Sequence, residues 1–256
     1  EGALMQALVR RGAAVLLVAW DDVTSLAGSP AGAKGLVGEQ VDMMVLRTTW
    51  DYWDRLEAFK DFLRSSEAEC GGRRDVLVNA PATARANLDK RYLEALESGG
   101  VAVVPTIYVK AGAEREALQL VSDRGWARVV AKPTVGAAGS GLALFETTEA
   151  TLHEHLVALT AGGEAMLQPY QPRVTTEGET SLVYFEGEFS HAVNKMPARG
   201  DFRSQVDFGG VYTLITPTAA QLEVGRTTLD AWTSRFGDRP LYARVDLVPG
   251  DDGAPL

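Results

Sequence analysis

A chain of 256 residues, 46% of them hydrophobic, is long enough to bury a core and to divide into two or three small domains. Its net charge of −9 argues against a nucleic-acid partner, because a phosphate-backbone binder needs a basic face. The single cysteine excludes an intrachain disulfide framework and fits a reducing cytoplasm, and no apolar run approaches the roughly 20 residues that span a bilayer.

The first third alternates helix and strand. Glu1 to Arg11 reads as a helix and Ala14 to Trp20 as a buried strand. A loop rich in Gly, Ser, Ala and Pro follows, from Ser25 to Gly38, and Val41 to Thr48 reads as a second strand. Asp54 to Ala68 places Leu56, Phe59, Phe62 and Leu63 on one helical face, and Val76 to Val78 is a third strand. Cys70, beside Gly71 and Gly72, reads as structural at a helix end. This alternation predicts a mostly parallel α/β lobe over residues 1–85, with ligands at the carboxyl ends of its strands. Arg47 lies at such an end and is expected to serve an anionic substrate group.

Beyond residue 85 the pattern becomes α+β. Asn87 to Glu97 reads as a helix stopped by Gly99-Gly100, and Val101 to Val104 as a short strand. Glu114 to Arg124 is a helix and Ala127 to Lys132 a strand, followed by a glycine-rich loop from Gly136 to Gly141. Leu142 to Phe145, Glu149 to Thr160 and Ala165 to Gln168 read as strand, helix and strand. Thr180 to Phe185 and Glu188 to Met196 form a hairpin around Glu186-Gly187. Thr218 to Phe236 is a long helix and Leu241 to Val248 the last strand. Two α+β subdomains are expected, over residues 86–170 and 171–256.

The strongest chemical signal is Lys132 at the end of a strand, followed by Gly136, Gly139, Ser140 and Gly141. Glycines let backbone N–H groups approach an anion, and a lysine adds a point charge for phosphate oxygens. A P-loop would need Lys-Ser/Thr after its last glycine, where this chain has Leu142, and a Rossmann loop would lead into a helix. Arg244 and Asp246 are two apart on a strand, so they share a face suited to a transferring phosphoryl group and a metal. His153 and His155 point to different sides of a helix and make a poor metal pair, and His191 reads as packing or hydrogen-bonding.

These features occur in an order that resembles the ATP-grasp superfamily, which includes D-alanine–D-alanine ligase and glutathione synthetase. The resemblance covers about Asn87 to the end. It implies ATP and Mg2+ as cofactors, with Lys90 of Asn87-Leu88-Asp89-Lys90 and Lys132 on the nucleotide phosphates beneath the Gly136 to Gly141 loop. Val104-Pro105-Thr106 resembles the Val-Pro-Thr strand after the first lysine. Leu167-Gln168-Pro169-Tyr170-Gln171 resembles the adenine hinge, Pro169 supplying a carbonyl and Gln171 an N–H, and Glu179 the acid on the ribose hydroxyls. Lys195 ends a hairpin strand near these loops and is a further nucleotide candidate. Arg203, in Gly200-Asp201-Phe202-Arg203, resembles the family's arginine loop, and Tyr242 to Asp246 the strand carrying a transition-state arginine and a magnesium carboxylate.

Trp20-Asp21-Asp22, Arg47 to Tyr52, Asn87 to Leu93, Val104 to Thr106 and Gly200 to Arg203 together resemble the O-ureidoserine cyclo-ligase group of cycloserine biosynthesis. The reaction implied is phosphorylation of a carboxylate or ureido carbonyl oxygen, then attack by an amine with release of ADP and phosphate. The partner is a small molecule, handled by a monomer or a homo-oligomer. In the family a Glu and an Asn join the metal aspartate on the next strand. The chain stops at Leu256, before that strand, and truncation there is expected; it starts at Glu1 without Met, which is compatible with a lost leader or first strand. If the natural chain also ends there, a non-catalytic nucleotide-binding module becomes the better reading. An ATP-grasp kinase, which would phosphorylate its substrate and stop, is the third.

Overall fold

The computed structural model describes residues 2–22, 42–69 and 77–256. The Ser25 to Gly38 loop with Lys34, Val41, Cys70 to Gly72 and Val76 lie outside them. The chain forms two compact units, Glu1–Leu77 and Val78–Leu256.

In the first unit, α1 (Gly2–Arg10) precedes a 3-10 turn at Trp20–Asp22, and β1 (Met44–Val45) precedes α2 (Leu56–Glu69). β2 (Leu77–Val78) pairs with β1. The predicted face of α2 is the buried one, with Phe59 2% and Leu63 0% exposed. Trp20 packs edge-on against Phe59, ring centroids 5.0 Å apart, and its indole N–H donates to Asp51 Oδ1 at 2.9 Å. Arg55 pairs with Asp21 at 2.6 Å and with Asp51, and its guanidinium lies over the Trp20 ring. Thus Trp20, Asp21 and Asp51, singled out in sequence, hold this unit's two connecting segments onto α2. The expected strand from Ala14 to Trp20 is absent: Leu16 and Leu17 are 47% and 63% exposed, and no described residue supplies a ladder partner. The expected Val41 to Thr48 strand shortens to β1.

In the second unit, α3 (Pro81–Asn87) begins with proline at its first position, where the missing N–H costs nothing. α4 (Tyr92–Ser98) ends as predicted at Gly99-Gly100, the latter at φ +84°. One helix from Asn87 to Glu97 was expected, and the structure breaks it between these two. The Lys90 N–H leaves the helical ladder to donate to the Thr134 carbonyl at 3.0 Å. Val101 to Val104 is not a strand either; Val101 is buried against Leu96 and Trp232.

β3 (Ile107–Val109), α5 (Glu114–Asp123), β4 (Arg128–Pro133), β5 (Ala143–Glu146), α6 (Ala150–Gly162) and β6 (Ala165–Pro169) form one layer pair. Its antiparallel sheet has the order β3-β6-β4-β5. Val129, Ala131, Ala165 and Leu167 form its buried face under Val121 of α5 and Leu152 and Leu156 of α6. Strand alternation therefore turns Lys132 to the other face. Truncating a buried leucine such as Leu156 would cost about 2–5 kcal/mol.

After the short α7 (Val174–Glu177) come β7 (Glu179–Phe185), β8 (Glu188–Met196), β9 (Val211–Ile215), α8 (Ala219–Phe236) and β10 (Tyr242–Leu247). They build a second antiparallel sheet of order β10-β7-β8-β9. Glu186 and Gly187 turn the β7–β8 hairpin at φ +52° and +85°, and a Cβ at 187 would lie 2.4 Å from Arg239. Thr218 and Gln221 close a capping box at the start of α8. Leu182, Tyr184, Ala192 and Leu247 pack against Leu229 of α8 on one face of the sheet. Residues of the opposite parity are left for chemistry. β9 was not anticipated: Val211, Tyr212 and Leu214 are all exposed, so it lacks the apolar–polar alternation that marks a half-buried strand.

Candidate functional site

The two sheets of the second unit contribute different halves of one charged surface. On the first, β4 delivers Lys132, and the chain then turns through Thr134, 1% exposed, whose N–H donates to the Glu164 carbonyl at 2.9 Å. Lys90 Nζ donates to the Thr134 carbonyl at 3.2 Å and the Gly136 carbonyl at 2.9 Å, and so pins the base of the glycine loop. Burial, and next the neighbouring Lys90 charge, push the Lys132 ammonium down to about 8, against a smaller opposing pull from Glu179. Burial likewise lowers Lys90. Two partly desolvated ammonium groups side by side make a site that gains from an anion.

The glycine loop is held open by its backbone. Ala138, Gly139 and Gly141 have φ of +52°, +76° and +68°, and consecutive turns run from Ser140 N–H to the Ala137 carbonyl and from Leu142 N–H to the Gly139 carbonyl. A Cβ on Gly141 would lie 3.0 Å from Leu159 and 3.1 Å from Pro133. His155 Nε2, stacked beside Phe145, lies 3.1 Å from the Gly141 carbonyl oxygen, which can only accept, so the histidine donates. The sequence reading missed this contact. His155 is half-buried on α6, and its position carried no periodic signal.

On the second sheet, Glu179, Ser181, Lys195, Arg244 and Asp246 share the face turned away from α8. Glu179 and Lys195 are directly paired across β7 and β8, with Nζ donating to Oε1 at 2.6 Å. Ser204 Oγ donates to the other Glu179 oxygen at 2.8 Å. Lys195 is 7% exposed and lies 3.4 Å from Asp246 Oδ1. Ser181, opposite Asp246 in the ladder, donates to that same oxygen at 2.5 Å, and Arg244 Nε donates at 2.7 Å. Burial works to raise the Asp246 carboxyl, but Arg244, Lys195 and Ser181 outweigh it and hold the group below the ordinary carboxylate range. Ser181 went unnoticed in sequence, although period-2 alternation from Glu179 places it on this face.

The hinge and the arginine loop complete the surroundings. Gln168, 7% exposed, donates from Nε2 to Thr106 Oγ1 at 2.9 Å, which joins two segments that were recognised separately in sequence. Tyr170 N–H donates to the Arg128 carbonyl at 3.0 Å, and the Arg128 guanidinium covers the Tyr170 ring. The Pro169 carbonyl accepts only a long 3.3 Å contact from Gln171 Nε2, and the Gln171 N–H has no partner among the described residues. Arg203 is engaged by Asp201 through both carboxylate oxygens, at 2.7 Å and 3.0 Å, and its presence draws Asp201 down to about 2. Arg47 is exposed, two residues past β1 in the first unit.

Two carboxylates lie on this face, Asp246 and the Lys195- and Ser204-bound Glu179; no group of three His, Cys, Asp or Glu side chains occurs among the described residues. That suits magnesium, which is held by one or two carboxylates together with phosphate oxygens more than by an all-protein cage. No helix is long and apolar enough to cross a membrane, among the described residues.

A family model described as the ATP-grasp domain of prokaryotic glutathione synthetase matches residues 101–234, and one described as the N-terminal domain of D-cycloserine synthetase DcsG matches residues 1–71. Cycloserine biosynthesis protein DcsG of Streptomyces lavendulae is 33% identical over 228 residues, 84% of this chain and 73% of that protein. The glutathione synthetase of Thermosynechococcus vestitus is 30% identical over 177 residues, 68% of this chain and 52% of that protein, so the chain spans about half its length. The crystal structure of D-cycloserine synthetase DcsG matches 100% of this chain and 83% of its own with a TM-score of 0.84 at 28% identity.

Proposed function

The chain belongs to the ATP-grasp family of ATP-dependent, ADP-forming carbon–nitrogen ligases, and from that membership we propose how its residues divide the work and on what they act. Lys90 and Lys132 neutralise the nucleotide phosphates, and the N–H groups around Gly136, Gly139, Ser140 and Gly141 cradle them. Gln168, Pro169, Tyr170 and Gln171 form the adenine hinge: the under-used Pro169 carbonyl and Gln171 N–H offer one acceptor and one donor two residues apart. Glu179 reaches the ribose hydroxyls. Lys195, already paired with Glu179, holds that carboxylate in place and keeps a positive charge between it and Asp246.

Asp246 is the magnesium ligand, kept ionised by Arg244 and oriented by Ser181. Magnesium held there would supply charge neutralisation for the phosphates. Arg244, half-exposed on the open sheet face, stabilises charge on the phosphoryl group as it passes to a substrate oxygen, and Arg203 approaches from the loop above. A nitrogen nucleophile then attacks the activated carbon, and the carbon–nitrogen bond forms as phosphate leaves and the nitrogen gives up a proton.

The substrate class that the sequence resemblance implies is an O-ureidoserine-like amino acid, closed to a ring by its own nitrogen, and the likeness to a cycloserine biosynthesis protein over 84% of the chain supports it. The observation that carries this reading is the clustering of two depressed lysines with a glycine loop, beside an Arg244–Asp246 pair on one sheet face. The test is to supply the substrate with 18O in its carboxylate or, separately, its ureido carbonyl. Release of 18O-phosphate from either arm, with ADP and a cyclic product, supports the proposal. Phosphate that takes its oxygen from water alone, with no new product, rules it out.

A further inference from the structure

Arg203 is held from two sides. Asp201 grips it through both carboxylate oxygens, and the Phe208 ring lies beneath it, with the guanidinium carbon 3.6 Å from the ring centroid. A planar guanidinium desolvated on an aromatic ring is oriented as well as attracted. Phe208 itself is fixed at the end of a 3-10 turn, Val206–Phe208, which Gly209 closes at φ +81°. The segment is packed tightly on its own backbone: a Cβ on Gly210 would lie 2.1 Å from the Ser204 carbonyl oxygen. Ser204 also ties it to Glu179.

The far edge of the same ring meets the glycine loop. A Cβ built on Gly139 would lie 3.1 Å from Phe208 Cε2 and 3.7 Å from Cζ, with Gln205 Oε1 at 4.0 Å. Gln205 Oε1 is buried without a hydrogen-bond partner among the described residues. The loop that carries the arginine and the loop that carries the backbone amides therefore share one aromatic side chain. Neither Phe208 nor Gly139 bears a group that could act chemically on this contact, so its effect is geometric.

We propose that Phe208 is a positioning residue that seats the glycine loop and Arg203 against each other, so that the two close on the nucleotide phosphates as one body. This rests on the reading of the glycine loop and Arg203 as phosphate-binding elements. On this account Gly139 serves two purposes. It adopts a left-handed conformation, and it leaves the space that Phe208 fills.

The test is a double-mutant cycle on the full chain with Gly139→Ala, Phe208→Ala and the pair, reading KM for ATP and kcat separately. Each single change should raise KM for ATP about tenfold, with kcat altered less than about threefold, because loop closure contributes to ground state and transition state alike. In the Phe208→Ala background, Gly139→Ala should raise KM by a smaller factor than it does in the wild-type chain, since the space that its methyl needs is then open and only the strain of the left-handed backbone remains. Phe208→Leu, which keeps part of the wall against Gly139, should raise KM for ATP less than Phe208→Ala does, with kcat again altered less than about threefold. Thermal melts identify variants that have lost the fold, and amide hydrogen exchange over residues 137–142 with and without ATP gives a second readout. Nucleotide should protect this loop in the wild type and not in Phe208→Ala. Multiplying KM effects in the double variant, or unchanged protection in Phe208→Ala, would overturn the proposal. If Lys132→Ala also binds ATP normally, the phosphate-site reading fails with it; if Lys132→Ala loses ATP, only the role of Phe208 fails.

Discussion

Glu179 and Lys195 face each other across β7 and β8, with 2.6 Å between Oε1 and Nζ, and the same ammonium lies 3.4 Å from Asp246. One buried cation thus serves two carboxylates with different assignments. Lys195→Met would leave both without it. The expected cost is about 1–3 kcal/mol of unfolding free energy, below the range for a fully buried pair because Glu179 and Asp246 are partly solvated. Chemical denaturation measures it, and a variant as stable as the parent would show that Lys195 is not structural.

Lys132 predicts a proton linkage. Its ammonium titrates at about 8 in the free protein because burial and Lys90 disfavour the charge. A bound polyphosphate favours the charged form and raises that value. ATP binding should therefore take up protons between pH 8 and the pKa of the complex, and its affinity should be constant below pH 8 and decline above it. Calorimetry in buffers of different ionisation enthalpy reads the uptake directly. Lys132→Arg, charged throughout, should abolish the linkage.

Ser181 predicts a metal phenotype without touching nucleotide. Its hydroxyl orients Asp246 from the neighbouring strand. Ser181→Ala should raise the magnesium concentration for half-maximal activity about 10-fold, at the lower end of what loss of a ligand's supporting hydrogen bond costs. Asp246→Asn should raise it further, since a neutral amide is a poorer ligand for a hard cation. Equal magnesium dependence in Ser181→Ala and wild type would remove Ser181 from the site.

Arg244→Ala separates rate from binding. The guanidinium is placed to meet charge that develops during transfer, so kcat should fall about 10²–10³-fold while ATP affinity stays nearly intact. Normal turnover would reduce the Arg244–Asp246 contact to a surface ion pair.

Much of this site could be read in sequence because it rests on local rules. Two-residue spacing put Arg244 and Asp246 on one face, and a strand followed by glycines marked the Lys132 loop. The Glu186-Gly187 hairpin followed from turn chemistry, and α8 matches the helix read over Thr218 to Phe236. What escaped depends on contacts between distant segments. The break between α3 and α4 arises from a hydrogen bond across 44 residues, from Lys90 to Thr134, which no propensity encodes. β9 is an exposed edge strand whose register comes from β8 alone. The meeting of Phe208 with Gly139 likewise exists only once both loops are placed. The supposed strand before Trp20 shows the reverse error, an apolar run read as buried when Leu17 is exposed.

The central claim is that Lys132 and the loop after it hold the phosphates of ATP, and direct titration tests it most simply. Isothermal titration of ATP with magnesium into the wild-type chain and Lys132→Ala should show affinity weakened by on the order of 1.5–3 kcal/mol, the range for a lost charged hydrogen bond. Unchanged affinity in Lys132→Ala, with the variant folded, would contradict the account.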